Sequence, residues 1–230
     1  MTKRIASRLS LMAAVAGVAG VLGATAAHAD PIVSIGLGVN GGSVTQVSSG
    51  IGFASYSSGA NYNGYLLTSI SGTGAPPLTG NSLFNTNTIN LTTSGTSNVL
   101  DIYITESGLT SPNGLIDFNS SFTENSLTSG WTVAESTYFN STNALWGGTL
   151  LGSANFTAIG THETSTSMNT GSGPYSITAE YVVTPDSITG SSNSTINVST
   201  PEPGALVMFA AGLLGCALFI NRRRRASRQS

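Results

Sequence analysis

Short runs in which apolar and polar residues alternate, separated by turn residues, fill the middle of the chain. In the clearest run, residues 99–106, the alternation places the Leu and Ile side chains on one face of a strand and Tyr103 on the other. Residues 175–184 repeat this pattern and turn Glu180 away from the apolar face. Weaker strand-like runs lie at residues 43–47, 51–56, 65–70, 88–91, 115–118, 131–134, 150–158 and 194–198.

These runs predict an all-β domain over residues 30–185, built as an antiparallel β-sandwich of jelly-roll type. No long amphipathic helix pattern and no repeat of fixed period appears in this region. Residues 161–173 contain few apolar side chains, which predicts a loop. Residues 186–200 are rich in Ser and Thr and predict a linker, which could include a last strand at residues 195–198.

Charge is segregated along the chain. All eight Lys and Arg lie within the first eight or the last nine residues, and all ten Asp and Glu lie from Asp30 to Glu202. The middle of the chain is therefore acidic and has no basic side chain. This excludes nucleic acid as a partner, because phosphate binding depends on Lys and Arg.

Residues 1–29 have the three parts of a secretory signal peptide: a basic start, an apolar stretch and a small-residue cleavage site. Ala27-His28-Ala29 fits the A-x-A pattern, so cleavage is predicted before Asp30. This assigns the Sec translocon and signal peptidase as partners. The alternative is an uncleaved N-terminal membrane helix.

Residues 204–220 form an uncharged apolar run, which predicts a single transmembrane helix of about 25 Å. A buried helix of a soluble domain is the alternative. The four arginines that follow would anchor the cytoplasmic side of the inner membrane and leave the middle of the chain outside. They are Arg222, Arg223, Arg224 and Arg225.

Pro201-Glu202-Pro203 stands directly before this apolar run. Together with the signal peptide, the short membrane helix and the Arg cluster, it resembles the PEP-CTERM sorting signal over residues 201–230. The resemblance implies recognition by exosortase, removal of the tail near the tripeptide, and delivery to the cell surface or the extracellular matrix. Proteins of this kind occur in Gram-negative bacteria that make extracellular polysaccharide.

No catalytic or cofactor-binding set is assigned. Residues 36–41 match G-x-G-x-x-G without the strand and helix that a dinucleotide site needs. His162 is the only histidine outside the signal peptide, and no second His gives it a zinc-site or triad partner. No D-x-D-x-D-G loop supports calcium binding, although some acids could bridge Ca²⁺. Seven acids are candidates for a glycosidase pair: Asp101, Glu106, Asp117, Glu124, Glu135, Glu180 and Asp186.

Two functional classes follow. The first is a non-enzymatic surface or matrix protein that is structural, adhesive or associated with polysaccharide. Its amide- and hydroxyl-rich surface, with Trp131, Trp146 and several Tyr, suits sugar contacts, although aromatic side chains suit a sandwich core equally well. The alternative is a secreted carbohydrate-active enzyme that uses a carboxylate pair.

Overall fold

The computed structural model describes residues 30–75, 78, 81–186 and 189–201, and all of their regular secondary structure is β-strand. No helix in these ranges has the length and apolar character needed to span a membrane. The predicted helix at residues 204–220 lies outside them. The strands are β1 Ile32–Val39, β2 Thr45–Ile51, β3 Phe53–Tyr56, β4 Asn61–Tyr62, β5 Tyr65–Gly74, β6 Ser82–Ser94, β7 Leu100–Leu109, β8 Leu115–Leu127, β9 Thr132–Asn140, β10 Thr149–Phe156, β11 Gly160–Asn169, β12 Tyr175–Thr184 and β13 Thr189–Ser199.

Two antiparallel sheets form a sandwich, as predicted. The six-stranded sheet has the order β10-β9-β12-β7-β1-β2, and the seven-stranded sheet has the order β11-β8-β13-β6-β5-β3, with β4 paired to β5. Strands β6 to β13 form four nested antiparallel pairs, β6 with β13, β7 with β12, β8 with β11, and β9 with β10. This nesting is the jelly-roll arrangement, and β1, β2, β3 and β5 extend its two sheets on one side.

The core lies between the sheets because alternate side chains of each strand point inward. In β7, Leu100, Ile102 and Ile104 are fully buried, while Tyr103 points outward as predicted. Trp131, immediately before β9, is also fully buried in this core.

The predicted loop at residues 161–173 is wrong for most of its length, because residues 160–169 form β11. Among the strands of the described residues, β11 is an edge strand and pairs with β8 alone. Its backbone hydrogen bonds hold it in the sheet, and its side chains are mostly exposed, so it has no apolar pattern that the sequence could show.

The predicted linker at residues 186–200 is also corrected. Residues 189–199 form β13, which lies between β6 and β8 inside the seven-stranded sheet. Ile196 and Val198 are fully buried there. β1 is a further strand that the pattern missed, because its six consecutive buried residues do not alternate with polar ones.

Candidate functional site

Three polar or aromatic side chains meet on the outer face of the six-stranded sheet, on neighbouring strands. Glu180 of β12 lies opposite Tyr103 of β7 in the ladder. Tyr138 of β9 lies on the other side of β12, opposite Thr178 and two ladder positions from Glu180. The Tyr138 hydroxyl donates to Oε2 of Glu180 over 2.7 Å. Burial and then the neighbouring Glu180 raise the pKa of Tyr103. One carboxylate thus fixes the orientation of the Tyr138 ring and lies opposite Tyr103.

Trp146 completes the group from the loop between β9 and β10. Its backbone has a φ of 61°, a conformation that L residues adopt only when the surroundings hold them there. Its ring lies over Gly36 of β1, where a β-carbon would come within 2.8 Å of the indole. The ring centroid is 6.1 Å from that of Tyr103, at an interplanar angle of 58°. The half-buried indole therefore extends the aromatic surface across the sheet.

Hydrogen bonds anchor this loop to the sheet beneath it. The Asn143 side-chain oxygen accepts from the backbone N–H of Gly108 over 2.7 Å. The Ser176 hydroxyl donates to the backbone carbonyl of Ala144 over 2.6 Å. A rigid base of this kind lets Trp146 hold its position before any ligand arrives.

We call Tyr103, Tyr138, Trp146 and Glu180 the aromatic–carboxylate site. Burial, followed by the hydrogen bond to Glu180, raises the pKa of Tyr138 to about 12 and also raises that of Tyr103. Both phenols therefore stay protonated and act as donors at physiological pH. The site offers aromatic faces, hydroxyl groups and a carboxylate acceptor, and it contains no nucleophile paired with a base.

The two tryptophans lie in different environments. Trp131 is fully buried in the core, whereas Trp146 lies at the surface. His162 lies on the edge strand β11 of the opposite sheet. Its ring stacks with that of Phe122 on β8, and the two ring centroids are 6.5 Å apart. Within residues 30–75, 78, 81–186 and 189–201, no group of three or more His, Cys, Asp or Glu could hold a metal ion.

Most of the seven candidate glycosidase acids are inaccessible. Glu106, Glu124 and Glu135 are buried in the core, at 0%, 1% and 0% exposure. Asp101 is 5% exposed, and one of its carboxylate oxygens accepts from the Gly41 backbone N–H over 2.9 Å. Its surroundings give it a structural role in holding the turn after β1.

The remaining candidate acids do not form a pair on one face. Glu180 lies on the outer face of the six-stranded sheet, and Asp117 lies on β8 of the seven-stranded sheet. Asp186 follows the end of β12, beside Gly130. Glu163, on β11, is the other exposed acid near Asp117, but the register places it four residues further along the ladder. That offset is about 13 Å, beyond the 6.5–9.5 Å of a glycosidase pair.

A shallow groove of about 460 Å³ crosses the seven-stranded sheet near its β11 edge. Its lining consists of hydroxyl and amide side chains with a single carboxylate and no aromatic ring. The lining residues are Asn119, Ser120, Ser121, Glu163, Thr164, Ser165 and Ser199. This groove offers hydrogen bonds but lacks the ring faces of the aromatic–carboxylate site.

Only two of the residues assigned to export and sorting lie in the described part of the chain. Asp30, the predicted mature start, is exposed just before β1. Pro201 is exposed directly after β13, where the Thr200 N–H donates to the Asn81 carbonyl over 2.9 Å. The predicted cleavage residues Ala27 and Ala29, the motif residues Glu202 and Pro203, and Arg222, Arg223, Arg224 and Arg225 lie outside it.

Residues 199–225 match the family model of the PEP-CTERM protein-sorting motif. The chain carries a PEP-CTERM sorting signal. The resemblance drawn from Pro201-Glu202-Pro203 is thereby confirmed. The motif marks the chain as an exported protein that exosortase processes.

Among solved structures, the sandwich is similar to TmCBM61 in complex with β-1,4-galactotriose, at 10% identity and a TM-score of 0.31, over 65% of this chain and 88% of that one. It is also similar to the carbohydrate-binding module CBM36 in complex with calcium and xylotriose, at 14% identity and a TM-score of 0.26, over 47% of this chain and 79% of that one. A β-(1,4)-mannanase of Podospora anserina matches at 15% identity and a TM-score of 0.26, over 66% of this chain and 29% of that one. No curated protein matches the chain. At these scores the likeness carries no functional conclusion for this chain.

Proposed function

We propose that this exported protein is a non-enzymatic surface or matrix component that binds neutral polysaccharide through the aromatic–carboxylate site. The observation that carries the proposal is the carboxylate of Glu180, which accepts from the Tyr138 hydroxyl and lies opposite Tyr103, whose ring neighbours the indole of Trp146. Aromatic rings with polar edges cover the apolar faces of pyranose rings, while a fixed carboxylate accepts hydrogen bonds from sugar hydroxyls.

The charge of the domain supports a neutral glycan as the ligand. Residues 30–201 contain nine acids and no Lys or Arg, so an acidic polymer would meet only repulsion. Neutral hydroxyl-rich chains carry no such cost.

The positions of the acids favour binding over hydrolysis. Three candidate acids are buried in the core, and the accessible ones lie on opposite sheets or about 13 Å apart. We therefore expect a polysaccharide incubated with this protein to keep its chain length. The alternative is a carbohydrate-active enzyme. It would be supported if the wild-type protein released reducing ends and a variant with one of these acids replaced by its amide did not.

We expect Glu180→Gln and Trp146→Ala each to weaken binding to neutral glycans by about ten- to a hundredfold, because each removes a main contact of the site. The measurement is binding of the full-length chain to an array that carries neutral and acidic glycans. Asp117→Asn is the matched control, since Asp117 is also an outer-face carboxylate that accepts from a hydroxyl, that of Ser167. Loss of binding in the control, or full binding by both site variants, would contradict the site.

We also propose processing at both ends, before Asp30 and near Pro201. The intact mass of the protein from its own host is expected to correspond to a chain that lacks residues 1–29 and the tail beyond about residue 201, recovered outside the inner membrane. Replacing Glu202 in the motif should leave the C-terminal tail attached. A native protein with an intact C-terminus in the inner membrane would show an anchored periplasmic domain instead.

A further inference from the structure

Two buried carboxyl groups come together between the sheets, away from the aromatic–carboxylate site. Glu124 projects inward from β8 of the seven-stranded sheet, and Glu135 projects inward from β9 of the six-stranded sheet. Burial and then the charge of Glu124 raise the pKa of Glu135, and Ser194 of β13 hydrogen-bonds Glu124 while lying beside Glu135. The pair therefore bridges the two layers of the sandwich.

The two carboxyl groups differ in how they are satisfied. Glu124 accepts hydrogen bonds from the Ser192 hydroxyl over 3.0 Å and from the Ser194 hydroxyl over 2.5 Å. Ser194 and the Thr123 backbone lie near Glu135, but neither of its oxygens makes a hydrogen bond of ordinary geometry. Glu135 is 0% exposed, so water at the protein surface does not reach these oxygens. A buried carboxyl group left in this state is costly and calls for a ligand.

The chain supplies no positive charge for this ligand. The sequence has no Lys or Arg between residues 9 and 221, and His162 is exposed on the edge strand β11. The nearby Tyr181 hydroxyl is hydrogen-bonded with Thr86. Only a proton or a cation from solution can therefore neutralise the pair.

We propose that Glu124 and Glu135 bind one Ca²⁺ between the two sheets, with the Ser194 hydroxyl as a further oxygen ligand. The charge of two carboxylates equals that of the ion, and their four oxygens with the Ser194 hydroxyl offer five of the six to eight oxygen ligands that Ca²⁺ takes. Ca²⁺ also tolerates the irregular geometry of side chains from three strands, whereas Mg²⁺ demands near-ideal octahedral geometry. The exported protein folds outside the cytoplasm, and the ion would join its two sheets.

The test is calcium titration of the full-length chain, purified in detergent and stripped with EDTA. We expect one Ca²⁺ per chain by calorimetry and a rise in Tm when Ca²⁺ is added. Glu135→Gln keeps the shape of the side chain and should lower the Ca²⁺ affinity at least tenfold. Glu124→Gln should do the same.

Glu106→Gln is the matched control, because Glu106 on β7 is also fully buried and its Oε2 is also unpartnered, while its Oε1 accepts from the Ala75 N–H. This variant should bind Ca²⁺ as the wild type does. The proposal is overturned if the wild type binds no Ca²⁺ in the millimolar range or if its Tm does not rise. It is equally overturned if the calcium-dependent rise in Tm survives in Glu135→Gln.

Discussion

Raising the pH from about 4.5 to 8 in the presence of EDTA is expected to destabilise the sandwich by several kcal/mol. Burial raises the pKa of Glu106 and of Glu135 to about 8, from the ordinary value of 4.5, and burial also raises the pKa of Glu124. In this window the unfolded chain has released these protons and the folded chain still holds them. The contribution of these groups to the free energy of unfolding is therefore fully present below pH 4.5. It falls by roughly 1.4 kcal/mol per pH unit for each group until the pKa of that group in the folded state is passed.

Urea or thermal unfolding at a series of pH values measures this effect. Glu106→Gln should reduce the slope, because the amide cannot ionise and can still accept from the Ala75 N–H. Repeating the pH series with Ca²⁺ distinguishes the glutamates of the proposed ion site from Glu106. With Ca²⁺ present, the share due to Glu124 and Glu135 should shrink, while that of Glu106 remains. A stability that is flat from pH 5 to 8 in EDTA would show that the three glutamates are not buried as described.

Ending the chain after Thr184 is expected to abolish folding. The truncation removes β13, which pairs with β6 on one side and with β8 on the other. It also removes the buried side chains of Ile196 and Val198 and the two hydroxyls that hydrogen-bond Glu124. The loss of an internal strand leaves two new sheet edges and an opened core, a larger cost than the ordinary stability of a domain.

Circular dichroism and resistance to limited proteolysis would report the loss. A chain that ends after Pro201 is the control and should fold like the full-length protein, because it keeps all of β13. Ile196→Ala in the full-length chain should cost about 2–5 kcal/mol without changing the fold. A folded, protease-resistant product that ends at Thr184 would show that residues 189–199 are dispensable, as the linker prediction implied.

The sequence predicted the fold class well where a strand has one buried and one exposed face. The bounds of residues 175–184 match β12, and the alternation in that run placed Glu180 on the outer face, as the alternation in residues 99–106 did for Tyr103. β11 was missed because it is an edge strand whose mostly exposed Ser and Thr side chains resemble a loop. β13 was largely missed because only Ile196 and Val198 mark its core face, while Ser192 and Ser194 are buried by bonding Glu124.

The sites depend on strand register, which no single strand reveals. Tyr103 and Glu180 are 77 residues apart in the chain and meet only because β7 and β12 are neighbours. Trp146 reaches them through a loop conformation with positive φ. The buried glutamates did leave a signal, since Glu124 alternates with Phe118 and Phe122 on the core face of β8. An acid at an apolar position of a strand predicts a buried carboxyl group.

The sorting signal begins where β13 ends, with Thr200 still bonded to Asn81. A pull on the C-terminus is therefore applied along an internal strand whose hydrogen bonds to β6 and β8 run across the direction of the force. Such a load acts in shear on both ladders at once, and the bonds must fail together rather than unzip one by one. A protein tethered through this end would resist mechanical extraction from a cell surface under flow far better than one tethered through an edge strand such as β11.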